Sequence, residues 1–384
     1  MILHLLPMFL LISFASVNAV LFTPALPAIT QYFSLSPQIG QQLMTFFLIG
    51  YTLGQLIYGP LSNRYGRKPA ITIGIVIQIL SQFICLLSVP FHLFNLLLLG
   101  RFFAALGAGV GLKMTITMVN EAYDSVKARK ITAYLIMAFA VTPGPSIAIG
   151  GYLNANFGWL SCFYAGAIYG FILWVLTRQL PETCQHIDKD ALALKPLWQN
   201  TSRQFLNGQL VKTGLLMGSA TSFIYLFATL TPFIAMTIMG IDSKTYGLLN
   251  LIPTIGLVIG SFLAAKYTHQ LSTKHSVLIG IIITGFTIVW MAAAMVYNAT
   301  ILWMIFIPMI LGNLGLSFVF SNAPGLIMHT LTDKANGSAV MNFINMGLAT
   351  LIVLSAGCFQ ISALLLIGLY AALSLFMMGL LIRL

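Results

Sequence analysis

Acidic residues are scarce in this chain: seven Asp and Glu among 384 residues, against 18 Lys and Arg. Charged residues together make up 7%, where a soluble domain carries roughly a quarter. A soluble fold of this size needs a polar surface that these residues cannot supply, so a soluble enzyme is excluded. Cysteine is scarce too. Cys85, Cys162, Cys184 and Cys358 are scattered, with neither metal-ligand spacing nor a disulfide framework. The six histidines show no H-x-x-x-H spacing, and the Gly-rich runs all lie inside apolar stretches. No metal, nucleotide or nucleophile constellation stands out, and no cofactor is expected.

Long apolar blocks stand in place of charge. Hydrophobic residues are 59% of the chain and recur in runs of roughly 20, enough to span a hydrocarbon core at about 1.5 Å rise per residue. Continuous apolarity indicates helices, because barrel strands would alternate over about ten residues. The blocks predict helices at 5–27, 40–61, 70–90, 94–119, 130–153 and 158–179, then at 209–233, 245–266, 275–297, 300–326, 337–358 and 361–382. The expected fold class is an all-α integral membrane protein of twelve spans. Ala15-Ser16-Val17-Asn18-Ala19 could pass for a signal-peptidase site, but no basic n-region precedes it and no soluble domain follows. It reads as part of an uncleaved first helix.

The net charge of +11 is a topology signal, not a nucleic-acid footprint. With the N-terminus inside, Arg64, Arg67, Lys68, Lys127, Arg129, Lys130, Arg178, Lys189, Lys195, Arg203, Lys212, Lys266, Lys274, Lys334 and Arg383 all fall on one side, and only Lys244 sits in a loop opposite. Such asymmetry places both termini in the cytoplasm of an inner-membrane protein. The one long hydrophilic segment, 181–208, separates a six-helix half (1–180) from a second (209–384). Transporters built from repeated halves carry their substrate site between the halves near the midplane. A worn repeat supports the division: Gly260, Lys266, Lys274 and His275 stand where Gly59, Arg64, Arg67 and Lys68 stand in the first half.

The sharpest motif follows the second helix: Gly59-Pro60-Leu61-Ser62-Asn63-Arg64-Tyr65-Gly66-Arg67-Lys68. It resembles motif A of the major facilitator superfamily, G-x-L-x-D-R-x-G-R-K/R, with Asn63 where Asp is usual. Glycine permits close helix approach, the residue at 63 can cap a neighbouring helix, and the bases hold a cytoplasmic gate. An ordinary positive-inside loop would carry bases without this spacing. Leu99-Gly100-Arg101-Phe102-Phe103-Ala104-Ala105-Leu106-Gly107-Ala108-Gly109 is similar to motif B, R-x-x-Q-G-x-G. Thr142-Pro143-Gly144-Pro145 followed by Gly150-Gly151 loosely resembles motif C of drug:proton antiporters, with two extra residues before the Gly pair. Kinked, small-residue helices of this kind let two halves pack closely and move. Together with Thr23-Pro24-Ala25-Leu26-Pro27, Gly158-Trp159 and Leu180-Pro181-Glu182-Thr183, these marks resemble the Bcr/CflA-type multidrug branch. That resemblance implies efflux of a small molecule by alternating access, with protons as the candidate coupling ion and a monomeric protein.

The departures bear on mechanism. Relatives carry an acid in the first helix within D-x-Y-L-P-A, whereas this chain has Val20 there. All seven acids lie in loops or at helix ends, Glu121 being nearest to a membrane interior. Arg101 and Lys113 are the internal cations. Each is either a functional group in the membrane or a side chain snorkelling to an interface. Asn18, Asn250, Asn313, Asn322, Asn342 and Asn345 are pore-facing candidates that interhelical hydrogen bonding would equally explain; Asn342 and Asn345 share a helix face. Phe22, Tyr134 and Tyr225 could wall a cavity. The substrate-binding candidates are thus Arg101, Lys113, Asn18, Phe22, Tyr225, Asn342 and Asn345. Two rivals stand beside efflux: a transporter of an anionic metabolite or polycarboxylate siderophore, and a membrane-embedded transferase. The second needs acids clustered on one face, and only Glu121 with Asp124 comes close.

Overall fold

The computed structural model describes residues 4–185, 187–193, 202–267, 270–327 and 334–384. Lys195, counted among the linker bases, lies outside the described residues, as do the side chains of Arg129 and Lys334. The described residues form helices and connecting turns, with no strand. Eleven helices are long and apolar enough to cross a membrane: α1 (Leu5–Tyr32), α3 (Arg67–Leu87), α4 (Phe94–Ala122), α5 (Val126–Phe157), α6 (Leu160–Thr177), α7 (Gly208–Ile238), α8 (Ser243–Tyr267), α9 (Thr273–Val296), α10 (Leu302–Leu326), α11 (Asn336–Ala356) and α12 (Ala363–Ile382). The twelfth, α2 (Gln42–Tyr65), is 24 residues long and more polar, carrying Gln42, Thr45, Thr52 and Gln55. Packing against α4 and α11 keeps that polarity away from lipid.

Several helices outrun their expected ends, α1 and α5 for reasons visible in their residues. Pro24 and Pro27 read as the stop of α1, yet each opens a new short piece: a 3₁₀ turn at Thr23–Ala25, then a helix at Leu26–Tyr32. Proline is tolerated in a first helical turn, where its missing N–H is not needed. Similarly, α5 begins several residues early because Asp124 accepts from the N–H groups of Val126 (3.1 Å) and Lys127 (3.0 Å), an N-cap.

Each half repeats one packing scheme. Gly50 and Gly54 of α2 face the Phe102 carbonyl and Leu106 of α4; Gly256 and Gly260 of α8 face the Ile310 carbonyl and Leu314 of α10. The pairs are four residues apart on all four helices, so the backbones approach along one ridge. A β-carbon on Gly280 of α9 would stand 2.5 Å from the Gly315 oxygen of α10, and one on Gly315 would meet the Gly280 oxygen at 2.5 Å. Gly74 of α3 and Gly107 of α4 are the first-half counterparts, each facing the other's carbonyl.

The halves meet through α2 against α11 and α5 against α8. Among the described residues, hydrogen bonds between the two bundles lie where α1 ends and α2 begins or near mid-span. The Pro24 carbonyl accepts from Asn154 Nδ2 (3.2 Å) and Ser243 Oγ (3.4 Å), and Asn154 also donates to Ser243 Oγ (2.9 Å). Thr52 and Thr350 hydroxyls lie 3.3 Å apart. No such bond joins the bundles at the opposite, basic end among the described residues.

Candidate functional site

A buried polar knot sits inside the first half. Arg101, 2% exposed, does not reach an interface. Its Nη1 donates to the Asn18 carbonyl at 2.7 Å, and its guanidinium lies between the rings of Phe22 (3.8 Å to the centroid) and Phe47 (4.4 Å). Two desolvated cation–π contacts, each worth about 2 kcal/mol, stand where a carboxylate would otherwise be. The Asn18 side chain accepts from Gln78 (2.7 Å) and Gln82 (3.2 Å) of α3 and donates to the Phe14 carbonyl. These partners of Asn18 all belong to the first half. Arg101 Nε and Gln78 Oε1 have no protein partner.

Lys113 lies three turns further along α4. Its ammonium is 3.3 Å from the Gln55 carbonyl of α2 and occupies space that a side chain at Gly59 would need, 2.6 Å from that β-carbon position. The motif-A glycine thus makes room for this lysine. Tyr51 of α2 is stacked on Phe47, and Tyr225 of α7 is half-buried. On α11, Asn345 is buried with an unpartnered side-chain oxygen, and Asn342 is half-buried. The structure therefore groups Arg101, Asn18 and Phe22, keeps Lys113 apart from them, and places Tyr225, Asn342 and Asn345 on the second half. Phe47, Gln78 and Gln82 were not foreseen. The two glutamines, one turn apart in an otherwise apolar block, were a legible signal; Phe47 left none.

The motif-A loop forms a second constellation, at the basic end. Arg67 pairs with Glu121 at the end of α4 (2.6 Å), while its other nitrogen donates to Asn63 Oδ1 (2.8 Å) and Ser62 Oγ (3.1 Å). Asn63 does not cap a helix, contrary to expectation. The cap on α3 is Glu182, reaching back from beyond α6: it accepts from the N–H groups of Arg67 and Lys68, each at 2.9 Å, and from those of Thr183 and Cys184. Desolvation pushes the Glu182 pKa up, but these four donors outweigh it and hold the carboxyl below its ordinary value. Gly66 makes this possible, since its φ is +97° and a β-carbon there would stand 2.7 Å from Glu182 Oε2. Thr183 Oγ1 donates to Glu121 (2.5 Å), Lys68 reaches the Arg178 carbonyl (3.1 Å), and Arg64 reaches the Lys189 carbonyl (2.6 Å). The bases thus tie the first half to its own linker and, among the described residues, form no hydrogen bond or ion pair to the second half. Glu121 and Asp124, the carboxylates a transferase would need, are held by Arg67 and by the α5 cap.

At the opposite end, the small residues of α5 line the contact with α8 and α1. Pro143 starts a new helical piece after Thr142. Gly144 faces Thr254, Gly151 faces the Ser243 carbonyl, and Gly150 faces the Leu21 carbonyl; Pro145 lies one residue beyond Gly144. Gln41, 1% exposed, and Thr231, fully buried, sit in this closed end, and the Gln41 amide and Thr231 hydroxyl have no protein partner.

Comparison with known proteins agrees with this arrangement. The chain is 25% identical over 359 residues to multidrug resistance protein D of Escherichia coli (strain K12), covering 92% of this chain and 88% of that protein. It is 27% identical to the chloramphenicol resistance protein CraA of Acinetobacter baumannii, over 69% of this chain and 64% of that one. Among solved structures, the inward-open xylose transporter XylE from E. coli superposes with a TM-score of 0.76 at 14% identity, covering 97% of this chain and 95% of that chain. The family profile of the Major Facilitator Superfamily matches residues 8–354. Twelve helices in two repeated halves, the motif-A loop and that match across the chain make this protein a membrane transporter of the Major Facilitator Superfamily.

Proposed function

We propose that the protein exports small drug-like compounds across the bacterial inner membrane by alternating access, with both termini and the 181–208 linker in the cytoplasm. The observation that carries this reading is the pair of six-helix bundles hydrogen-bonded to each other toward one end and near mid-span, with no such bond at the basic end among the described residues. The names of the drug-resistance relatives support efflux, and the motif resemblance adds protons as coupling ion. Arg101, Lys113, Phe22, Tyr225, Asn342 and Asn345 are proposed to face or shape the substrate path, with Asn18 holding Arg101 in place. A monomer suffices, because each half completes the other's interface.

Substrate charge follows from the missing carboxylate. A lipophilic cation in low dielectric costs several kcal/mol unless paired, and α1 carries Val20 where relatives place an acid. Arg101 and Lys113 favour neutral or anionic compounds instead, which also keeps transport of an anionic metabolite or polycarboxylate as the second reading. Inverted vesicles test both, with chloramphenicol and ethidium offered with and without a pH gradient. Chloramphenicol should accumulate and leak back when the gradient is collapsed, while ethidium should not accumulate. Lys113→Ala should weaken transport of an anionic compound more than of chloramphenicol. Strong ethidium pumping, undiminished in Val20→Asp, would overturn the charge argument. Absence of any gradient-driven transport across a broad panel would overturn export itself.

A further inference from the structure

Between α9 and α12, at the basic end of the second half, lies a groove of about 240 Å³ lined by Lys274, His275, Leu278, Met378, Leu381 and Ile382. Four of these are apolar side chains on the membrane-spanning helices. The other two are consecutive and exposed, at the first turn of α9, where the apolar helix gives way to the membrane surface. Lys212 Nζ donates to the Arg383 carbonyl at 3.0 Å, which brings a third base to the end of α12 beside Ile382. Arg383 itself is the fourth basic residue at this edge.

No Asp or Glu among the described residues forms an ion pair with them. The second half has two acids. Asp242 caps α8 at the far end, accepting from Thr245, and Asp333 lies outside the described residues. Lys274 has no hydrogen-bond or ion-pair partner among the described residues. His275 Nδ1 is held by Ser272 Oγ at 2.6 Å, which leaves Nε2 as the ring nitrogen for another group. The repeat sharpens the point, because the first turn of α3 carries Arg67 and Lys68 at the corresponding place. There the protein supplies Glu121 and Glu182. At α9 the bases remain, and no acid meets them among the described residues.

We propose that this groove binds an anionic phospholipid, its phosphate between Lys274 and His275 and an acyl chain along Leu278, Met378, Leu381 and Ile382. Cationic pockets between spans at a membrane surface recognise such headgroups by charge. The apolar floor selects a lipid over a free phosphate, which has no hydrocarbon to lay there. A zwitterionic lipid brings the same chains and a phosphate, but its own ammonium competes with Lys274 for that phosphate. The inference concerns the lipid-facing side of the second half and does not depend on which compound the protein exports.

Native mass spectrometry of the full-length protein in detergent tests it, with phosphatidylglycerol, phosphatidylethanolamine and inorganic phosphate as probes. At equal concentration, one phosphatidylglycerol should be retained roughly tenfold better than phosphatidylethanolamine, as expected for charge-selected headgroup binding. The double variant Lys274→Ala/His275→Ala should lose most of that preference. Because both side chains are exposed, it should melt like the wild type. Leu278→Trp, which fills the slot and spares the charges, should also lower retention, whereas Lys127→Ala at the start of α5 should not. Millimolar inorganic phosphate should leave the bound lipid in place. Equal retention of the two lipids, or unchanged retention in the double variant, would overturn the proposal. Displacement by inorganic phosphate would overturn it too, by showing a simple anion site.

Discussion

At the start of α3, Arg67 and Lys68 meet Glu121, Glu182 and Asn63 within hydrogen-bonding distance; at the start of α9, Lys274 and His275 meet no carboxylate among the described residues. The helices beneath these two corners are packed alike, through the same glycine ridges. Duplicated packing has therefore been kept while duplicated electrostatics has not. Packing is held by geometry that any larger residue would break. Charge at a membrane surface can be met from the protein, the solvent or the lipid, so it is free to diverge. The first half spends two of its acids on fixing its loop and linker, which makes that corner the rigid one.

The packing side of this comparison should give the largest effects. Gly50→Val and Gly256→Val each put a side chain into a facing carbonyl, and neither backbone can retreat cheaply. Both should sharply reduce the yield of monodisperse protein in size-exclusion chromatography, and to a similar degree. A well-folded Gly256→Val beside an unfolded Gly50→Val would break the symmetry. Next come the corners. Arg67→Ala should lower transport roughly tenfold or more at near-normal expression, since it frees the loop whose position biases the two access states. Arg64→Ala, which loses a single exposed contact, should cost less, and Lys274→Ala should cost under about twofold, within the range of a solvated charge. Vesicle transport rates normalised to protein amount would check the order.

A double-mutant cycle isolates the pair itself. Arg67→Ala, Glu121→Ala and their combination should show a coupling of about 1–3 kcal/mol in thermal stability, below that of a fully buried pair because Glu121 is partly exposed. Additive losses would mean that Thr183 and Asn63 carry the corner without the ion pair. The smallest effect concerns pH. The Glu182 pKa is depressed in the folded protein, so its stabilisation is fully present above the unfolded carboxylate value. It is lost progressively as pH falls from that value through the lower, folded one. Proteolysis of the linker should therefore stay slow above the ordinary carboxylate range and quicken as pH falls through and below it, whereas Glu182→Gln should be cut faster even at neutral pH. A wild-type linker that loosens at mildly acidic pH would contradict this.

Much of the fold was legible because a bilayer leaves few choices. Runs of about 20 apolar residues can only be helices there, and the linker after six of them marks the halves. The extra turns of α1 were hidden because a proline that ends one helix can also begin the next. The motif-A bases were readable by spacing, but their partners were not. Glu121 and Glu182 are more than 50 and 100 residues away in sequence, and only folding brings them to one corner. Arg101 was legible as an anomaly, a cation in an apolar block. That its company would be two phenyl rings, rather than an acid or the membrane surface, depends on the register of α2 against α4. The glycine ridge was present in the sequence as paired four-residue spacings at 50/54 and 256/260, and it is the better trace of the repeat than the bases.

The closed end stores a debt of hydration. Gln41 hides both ends of its amide and Thr231 its hydroxyl, with no protein partner for any of them. A buried polar group keeps its hydrogen-bonding capacity whether protein or water meets it. A seam of oil alone would gain nothing from wetting; this one holds an amide and a hydroxyl that water can bond as the end opens.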